Sequence, residues 1–305
     1  MFSSPIWLPA TLVAGALQAW RTAVQRRVSE SLSLNGAGLV RYLYGMPFMT
    51  ALLALYLVVF PTPWPRLNAD FLLFCGAGGL AQIIATNLLI SAFRYRNFVV
   101  GTAYSKTEAA QGAVLSFFLL GETLPPLSWA GIGCGVAGVM LLSTGGRKLG
   151  LWDFVRALGQ PAAVTGIASG FFFALTAIGI RRATQGVDTD TPVFAALIVL
   201  AVTVPLQTMM QGGWLLWREP AEMRRVLSSW RVSGQVGLLS ALGSACWFTG
   251  FATAPVALVR IVGQVEVAFT MAFGHFYLCE TMRRSELAGL ILVAAGVILA
   301  LAGTL

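Results

Sequence analysis

Only 10% of this 305-residue chain is charged and 57% is hydrophobic. An ordinary soluble domain is about 25% charged and roughly 45–50% apolar, so the composition excludes a globule clothed for water and leaves one embedded in lipid. The formal net charge of +8 would suit a polyanion, but the cations are scattered through short loops without an aromatic-interleaved basic stripe, which excludes a nucleic-acid partner.

Blocks of about 18 or more apolar residues can cross a hydrocarbon core of about 30 Å as helices. Ten such spans are predicted, at 5–24, 37–59, 69–92, 98–118, 126–145, 160–181, 191–212, 230–251, 256–277 and 285–304, making an all-α integral membrane protein. The first follows Met1-Phe2-Ser3-Ser4-Pro5, which lacks the positive flank of a cleavable signal, so it is read as retained. It carries Gln18, Trp20 and Arg21, and the second span opens with Arg41, Tyr42 and Tyr44. Pro61-Thr62-Pro63-Trp64-Pro65 ends the second span, because proline removes helix donors. The third holds Gln82 and Asn87, and the fourth holds Tyr104, Lys106, Glu108 and Gln111. Gly121-Glu122-Thr123 and two prolines separate the fourth from the glycine-rich fifth, and Gly145-Gly146-Arg147-Lys148 starts a central linker. Arg218-Glu219-Pro220 follows the seventh span; Trp247 lies in the eighth, and Arg260, Gln264 and Glu266 lie in the ninth. Trp64, Trp152, Trp214, Trp217 and Trp230 fall near predicted ends, where amphipathic rings favour the headgroup layer. The blocks are about twice as long as barrel strands and do not alternate, which argues against a β-barrel.

Cys75, Cys134, Cys246 and Cys279 are widely spaced beside apolar blocks, and a single histidine, His275, has no partner ligands in sequence. No metal, other cofactor or catalytic residue is expected. No GxxxxGK[ST] loop is present to supply ATP chemistry.

The chain repeats itself. Glu108 and Glu266 are 158 residues apart, as are Glu122 and Glu280, Gly79 and Gly237, Gly131 and Gly289, and Gly138 and Gly296. Residues 93–144 share about a dozen identities with 251–302 at this ungapped offset. Two units result, 1–148 and 149–305, with five spans each. An odd number of spans makes the second unit thread the bilayer opposite to the first. Inverted repeats of this kind underlie alternating access in secondary transporters, with the binding site near the midplane.

Gly121-Glu122-Thr123 and Cys279-Glu280-Thr281 close helices four and nine, and the glycine-rich stretches Ala130-Gly131 to Gly138 and Ala288-Gly289 to Gly296 follow them. With Arg41, this pattern resembles the drug/metabolite transporter superfamily, in particular its EamA-like ten-helix members, across nearly the whole chain. The resemblance implies a carrier of metabolites, amino acids or drugs across a bacterial inner membrane, usually outward, and no enzyme activity. It also implies packing or dimer contacts for the last helix of each half, leaving monomer and homodimer both open.

Orientation follows from charge. The loops on the side of the termini, 60–68, 119–125, 182–190 and 252–255, hold Arg66 and Arg182, with Arg181 at the border. The opposite side holds Arg26, Arg27, Arg94, Arg96, Arg147, Lys148, Arg156, Arg218, Arg224, Arg225, Arg231, Arg283 and Arg284. The cationic side belongs in the cytoplasm, so both termini are predicted to be periplasmic.

Charge at bilayer depth costs roughly 2.5–3.5 kcal/mol per residue and persists where a partner or cavity receives it. Lys106, Glu108, Arg260 and Glu266 are such charges, with the two glutamates expected near the middles of their helices. Lys106 and Glu108 do not share a helix face. The expected cross-helix pairs are Lys106 with Glu266 and Arg260 with Glu108. They form either a proton-linked or substrate-binding site, with the proton as candidate coupling ion, or a permanent brace between helices four and nine. Gln264 stands where the first half has Lys106, so the halves of the site differ chemically. Gln18, Trp20, Tyr42, Gln82, Asn87, Tyr104 and Trp247 complete the candidate lining of a small-molecule cavity; helix-to-helix bonding or interfacial anchoring is the alternative for each. Glu122 and Glu280 are expected to cap helix junctions, stabilising the positive end of the next helix. Two other classes compete with a carrier of soluble solutes: a flippase for lipid or lipid-linked sugar, and a membrane enzyme acting on lipid substrates, which the missing His/Asp clusters disfavour.

Overall fold

A computed structural model describes residues 5–94, 104–143, 161–278 and 284–303. Cys279, Glu280, Arg283, Arg96, Arg147, Lys148 and Arg156 lie outside the described residues, as do the side chains of Arg94, His275 and Arg284. In chain order the helices are α1 (Trp7–Ser31), α2 (Leu34–Leu43), α3 (Gly45–Val59), α4 (Phe71–Arg94), α5 (Glu108–Leu120), α6 (Pro126–Ser143), α7 (Pro161–Gln185), α8 (Pro192–Arg218), α9 (Pro220–Ser228), α10 (Trp230–Thr253), α11 (Val256–Gly263), α12 (Glu266–Leu278) and α13 (Arg284–Ala302). Two two-residue strands, β1 (Arg66–Leu67) and β2 (Val187–Asp188), pair antiparallel, Arg66 opposite Asp188. Five of the described segments are long and apolar enough to cross a membrane: Leu34–Val59, Phe71–Ser91, Ala163–Gln185, Pro192–Arg218 and Trp230–Thr253.

Three expected spans are interrupted. The second breaks at Tyr44, between α2 and α3, where Pro47 has no N–H to continue the ladder. The fourth and ninth tighten at Lys106-Thr107 and Gln264-Val265. There Thr107, Gln264 and Val265 donate to the carbonyls of Tyr104, Ile261 and Val262, three residues back instead of four. Thr107 and Gln264 keep right-handed helical dihedrals, so these are single tightened turns. The stretch after the seventh span, where Glu219-Pro220 predicts a loop, holds a short amphipathic helix, α9.

The chain forms two compact units that do not follow the sequence halves. One comprises Met1–Ile83 and Thr176–Ala254; the other comprises Ile84–Leu175 and Pro255–Leu305. Each draws on both repeats.

In the first unit α10 packs against α1, α2, α3 and α8. Its largest fully buried side chains include Tyr42, Phe194, Leu200, Leu215, Phe248 and Phe251. Repeat-related glycines set two of its close approaches. A Cβ at Gly79 would come within 3.2 Å of Gln207 on α8, and one at Gly237 would collide with the backbone of Tyr44 after α2. Each glycine thus faces the second helix of the opposite sequence half. Outward-facing Val58 and Met209 are among its most exposed side chains, a surface suited to lipid.

In the second unit α6 and α13 pair along their length. A Cβ at Gly131 would lie 2.5 Å from the Gly296 carbonyl, and one at Gly138 would lie 2.8 Å from the Gly289 carbonyl. The offset of 158 exchanges these two contacts, since it takes Gly131 to Gly289 and Gly138 to Gly296. The Cys134 thiol lies 3.5 Å from the carbonyl of Leu292, its own counterpart. A residue meeting its counterpart while flanking contacts exchange is the signature of a two-fold relation between antiparallel helices. Within this unit the last helices of the two repeats are inverted relative to one another.

Candidate functional site

The second unit gathers seven of the twelve candidate residues: Asn87 on α4, Tyr104 and Lys106 before α5, Glu108 opening α5, Arg260 in α11, Gln264 after it, and Glu266 opening α12. Both expected ion pairs are present. Lys106 Nζ donates to Glu266 Oε2 at 2.5 Å, and Arg260 Nη1 reaches Glu108 Oε1 at 3.4 Å. Arg260 also donates through Nη2 to the Phe173 carbonyl on α7, at 2.9 Å. All four side chains are almost completely buried.

The glutamates do not sit in mid-helix, as the sequence suggested. Each is the first residue after a tightened turn, Glu108 of α5 and Glu266 of α12. The backbone stays bonded through both turns, the Ala109 N–H reaching the Lys106 carbonyl at 3.5 Å and the Val267 N–H the Gln264 carbonyl at 3.0 Å, so the charge that balances each carboxylate is the paired cation. Lys106-Thr107 contains neither glycine nor proline, so nothing local announces that turn.

One glycine gives the site its room. A Cβ at Gly170 of α7 would lie 2.8 Å from the Ser105 carbonyl and 3.2 Å from the Glu108 nitrogen, so only glycine lets α7 approach the first turn. Gly112 of α5 stands beside the Arg260 side chain, where a Cβ would make ordinary contact at 4.0 Å. Gln111 donates to Thr107 Oγ1 at 2.7 Å and to the Ile167 carbonyl at 3.3 Å, tying the same turn to α7. Gly15 corresponds to Gly170 at a slightly smaller offset, 155, but nothing in sequence marks Gly170 as the notch for this turn.

The ion pairs break the symmetry. The repeat image of Lys106–Glu266 would join Gln264 to Glu108, but Arg260, one helical turn earlier, takes Glu108 instead. Gln264 is left 3% exposed with neither amide nitrogen nor amide oxygen hydrogen-bonded. Its amide oxygen abuts Gly135 of α6, where a Cβ would collide with it. An unsatisfied buried amide costs about 1–3 kcal/mol.

Glu122 caps a helix of the other repeat. Gly121 ends α5 with a left-handed φ of 68°, which favours glycine, and the Glu122 N–H returns to the Ser116 carbonyl at 3.2 Å. Glu122 Oε2 then accepts the N–H of Val256 at 2.9 Å, the first residue of α11 in the other repeat.

The other five candidates lie in the first unit. Trp247 Nε1 donates to Gln18 Oε1 at 3.0 Å and its ring stacks on Phe251. Gln207 donates to Gln82 Oε1 at 2.7 Å and to the Gly79 carbonyl. Tyr42 is buried beneath the Arg41 guanidinium, whereas Trp20 is 51% exposed. The sequence reading missed Glu222, which is buried. It accepts the Ser33 N–H at the start of α2 and lies 3.5 Å from Arg225.

The EamA-like transporter family model matches residues 5–144 and again 160–302. The chain belongs to this family, whose members are drug/metabolite-type transporters and multi-pass membrane proteins, not enzymes. A solved structure described only as the crystal structure of a protein superposes with a TM-score of 0.66 at 17% identity, covering 96% of each chain, a likeness of fold alone. No curated protein matches.

Proposed function

We propose that this chain is a secondary transporter that exports small metabolites, amino acids or drugs across the bacterial inner membrane by alternating access. Its ten crossing segments are threaded as two inverted repeats, 1–148 and 149–305, with both termini in the periplasm. The reading rests on one observation: two buried ion pairs, each joining one sequence repeat to the other, at helix interruptions that the repeat relates. Removing one partner of a buried pair leaves an uncompensated charge, at about 3–5 kcal/mol. A proton or a substrate cation that takes the place of Lys106 at Glu266, or of Arg260 at Glu108, neutralises the carboxylate, and the released side-chain cation then needs water or substrate to receive it, which ties its release to the opening of the site. Glu108 and Glu266 are therefore the coupling groups, the proton is the coupling ion, and Asn87, Tyr104 and Gln264 are the nearest substrate contacts.

The test is transport by the purified chain in vesicles, against a panel of amino acids, metabolites and cationic drugs, with and without a pH gradient. Glu108→Gln and Glu266→Gln are expected to cut transport at least tenfold and flatten its pH dependence. Full transport with full pH dependence in both variants would reduce the pairs to a static brace. Movement of a labelled lipid without movement of any soluble solute would transfer the assignment to a flippase.

A further inference from the structure

A cleft of about 550 Å³ opens in the first unit, where the end of α1 meets the start of α10. Arg27 lines it from α1 and Arg231 from α10, and no acidic side chain lines it among the described residues. Val24 and Val28 form its apolar wall, and Ser229 and Trp230 form its rim. The Arg231 guanidinium lies 5.4 Å from the centre of the Trp230 ring, which is 58% exposed. Ser229 precedes the 24-residue α10 but makes no side-chain cap, and its hydroxyl donates to the Val226 carbonyl instead. Of the neighbouring acids, Glu219 accepts from Asn35, Glu222 accepts from the Ser33 N–H, and the exposed Glu30, three residues after Arg27, is not among the residues that line the cleft. The cleft is therefore net positive.

Its surroundings fix its depth. α8 ends nearby with exposed Trp214 and Trp217, the latter beneath Arg218, and α9 presents exposed Leu227. Tryptophan beside arginine marks the headgroup layer, and basic pockets between helices at that depth suit anionic lipid headgroups. We propose that this cleft holds the headgroup of one anionic phospholipid, its phosphate between Arg27 and Arg231 and the upper part of an acyl chain along Val24 and Val28. The site is separate from the ion pairs and does not depend on the transport reading.

The test is native mass spectrometry of the full chain in detergent, titrated with phosphatidylglycerol or with phosphatidylcholine. One phosphatidylglycerol should be retained in preference to phosphatidylcholine, and Arg27→Ala/Arg231→Ala should weaken its retention roughly tenfold. Arg224→Ala, which removes an exposed cation outside the cleft, should leave it unchanged. Ser31→Trp fills the cleft from its exposed rim with both arginines intact, and should abolish retention as well. Equal retention of the two lipids, or retention undiminished in the double variant and in Ser31→Trp, would overturn the proposal. Displacement by inorganic phosphate at equal concentration would overturn it too, leaving a site for soluble anions.

Discussion

Gln264 concentrates what is unusual about the site in one side chain. It occupies the Lys106 position of the second repeat, yet Arg260 has taken the carboxylate it would have met, and its buried amide bonds to nothing. A protein that keeps an unsatisfied buried amide violates a packing rule, and such violations concentrate at functional sites. Gln264→Leu should therefore raise the thermal midpoint in detergent by a few degrees, since up to about 1–3 kcal/mol of unmet hydrogen bonding is relieved. The same change should lower transport. A variant that is less stable and equally active would show instead that the amide has a structural partner. Among individual residues the charges were the most legible in sequence. A lysine, an arginine and two glutamates inside apolar blocks need partners, and few partners exist, so Lys106–Glu266 and Arg260–Glu108 could be named in advance. The bonds of Gln18 to Trp247 and of Gln82 to Gln207 were not legible, because polar but uncharged side chains have many acceptable partners.

At the scale of helices, the glycines of α6 and α13 act as a zipper between backbones. Gly296→Ala would place a methyl group 2.6 Å from the Gly135 nitrogen and 2.7 Å from the Gly131 carbonyl. These are backbone atoms that cannot turn aside, so the substitution should cost about 1–3 kcal/mol or more. Gly133→Ala, on the partner helix α6 with nothing within 4 Å of its new methyl, should be neutral or slightly stabilising, because alanine favours the helix by up to about 1 kcal/mol. Thermal unfolding of the two variants side by side checks the contrast; equal destabilisation would contradict the packing described. Helix ends were readable where proline or glycine sets them, as at Pro126, Pro192 and Gly121. The tightened turns at Lys106-Thr107 and Gln264-Val265 were not. Their dihedrals remain helical, and neither pair contains a proline or a glycine.

Over the whole molecule, the repeat was plain in sequence as a constant offset, but the compact units were not. Segments such as α5 and α11 pair with partners far away in the chain, so each unit mixes the two sequence halves. The exchanged glycine contacts of α6 and α13 are what an antiparallel arrangement of the repeats requires. Charge follows the same logic within the first unit. Arg26, Arg27, Arg218, Arg224, Arg225 and Arg231 cluster where α1 ends and α10 begins, while Arg66, Arg181 and Arg182 lie towards the strand pair. Counterparts in the two repeats must then face opposite sides of the membrane. Pro63 and Ala221 are such a pair, both exposed and 158 residues apart. In a background lacking the native cysteines, Pro63→Cys should react with a membrane-impermeant maleimide in intact cells, and Ala221→Cys should react only after permeabilisation. Labelling of both positions from the same side would contradict the inverted repeat.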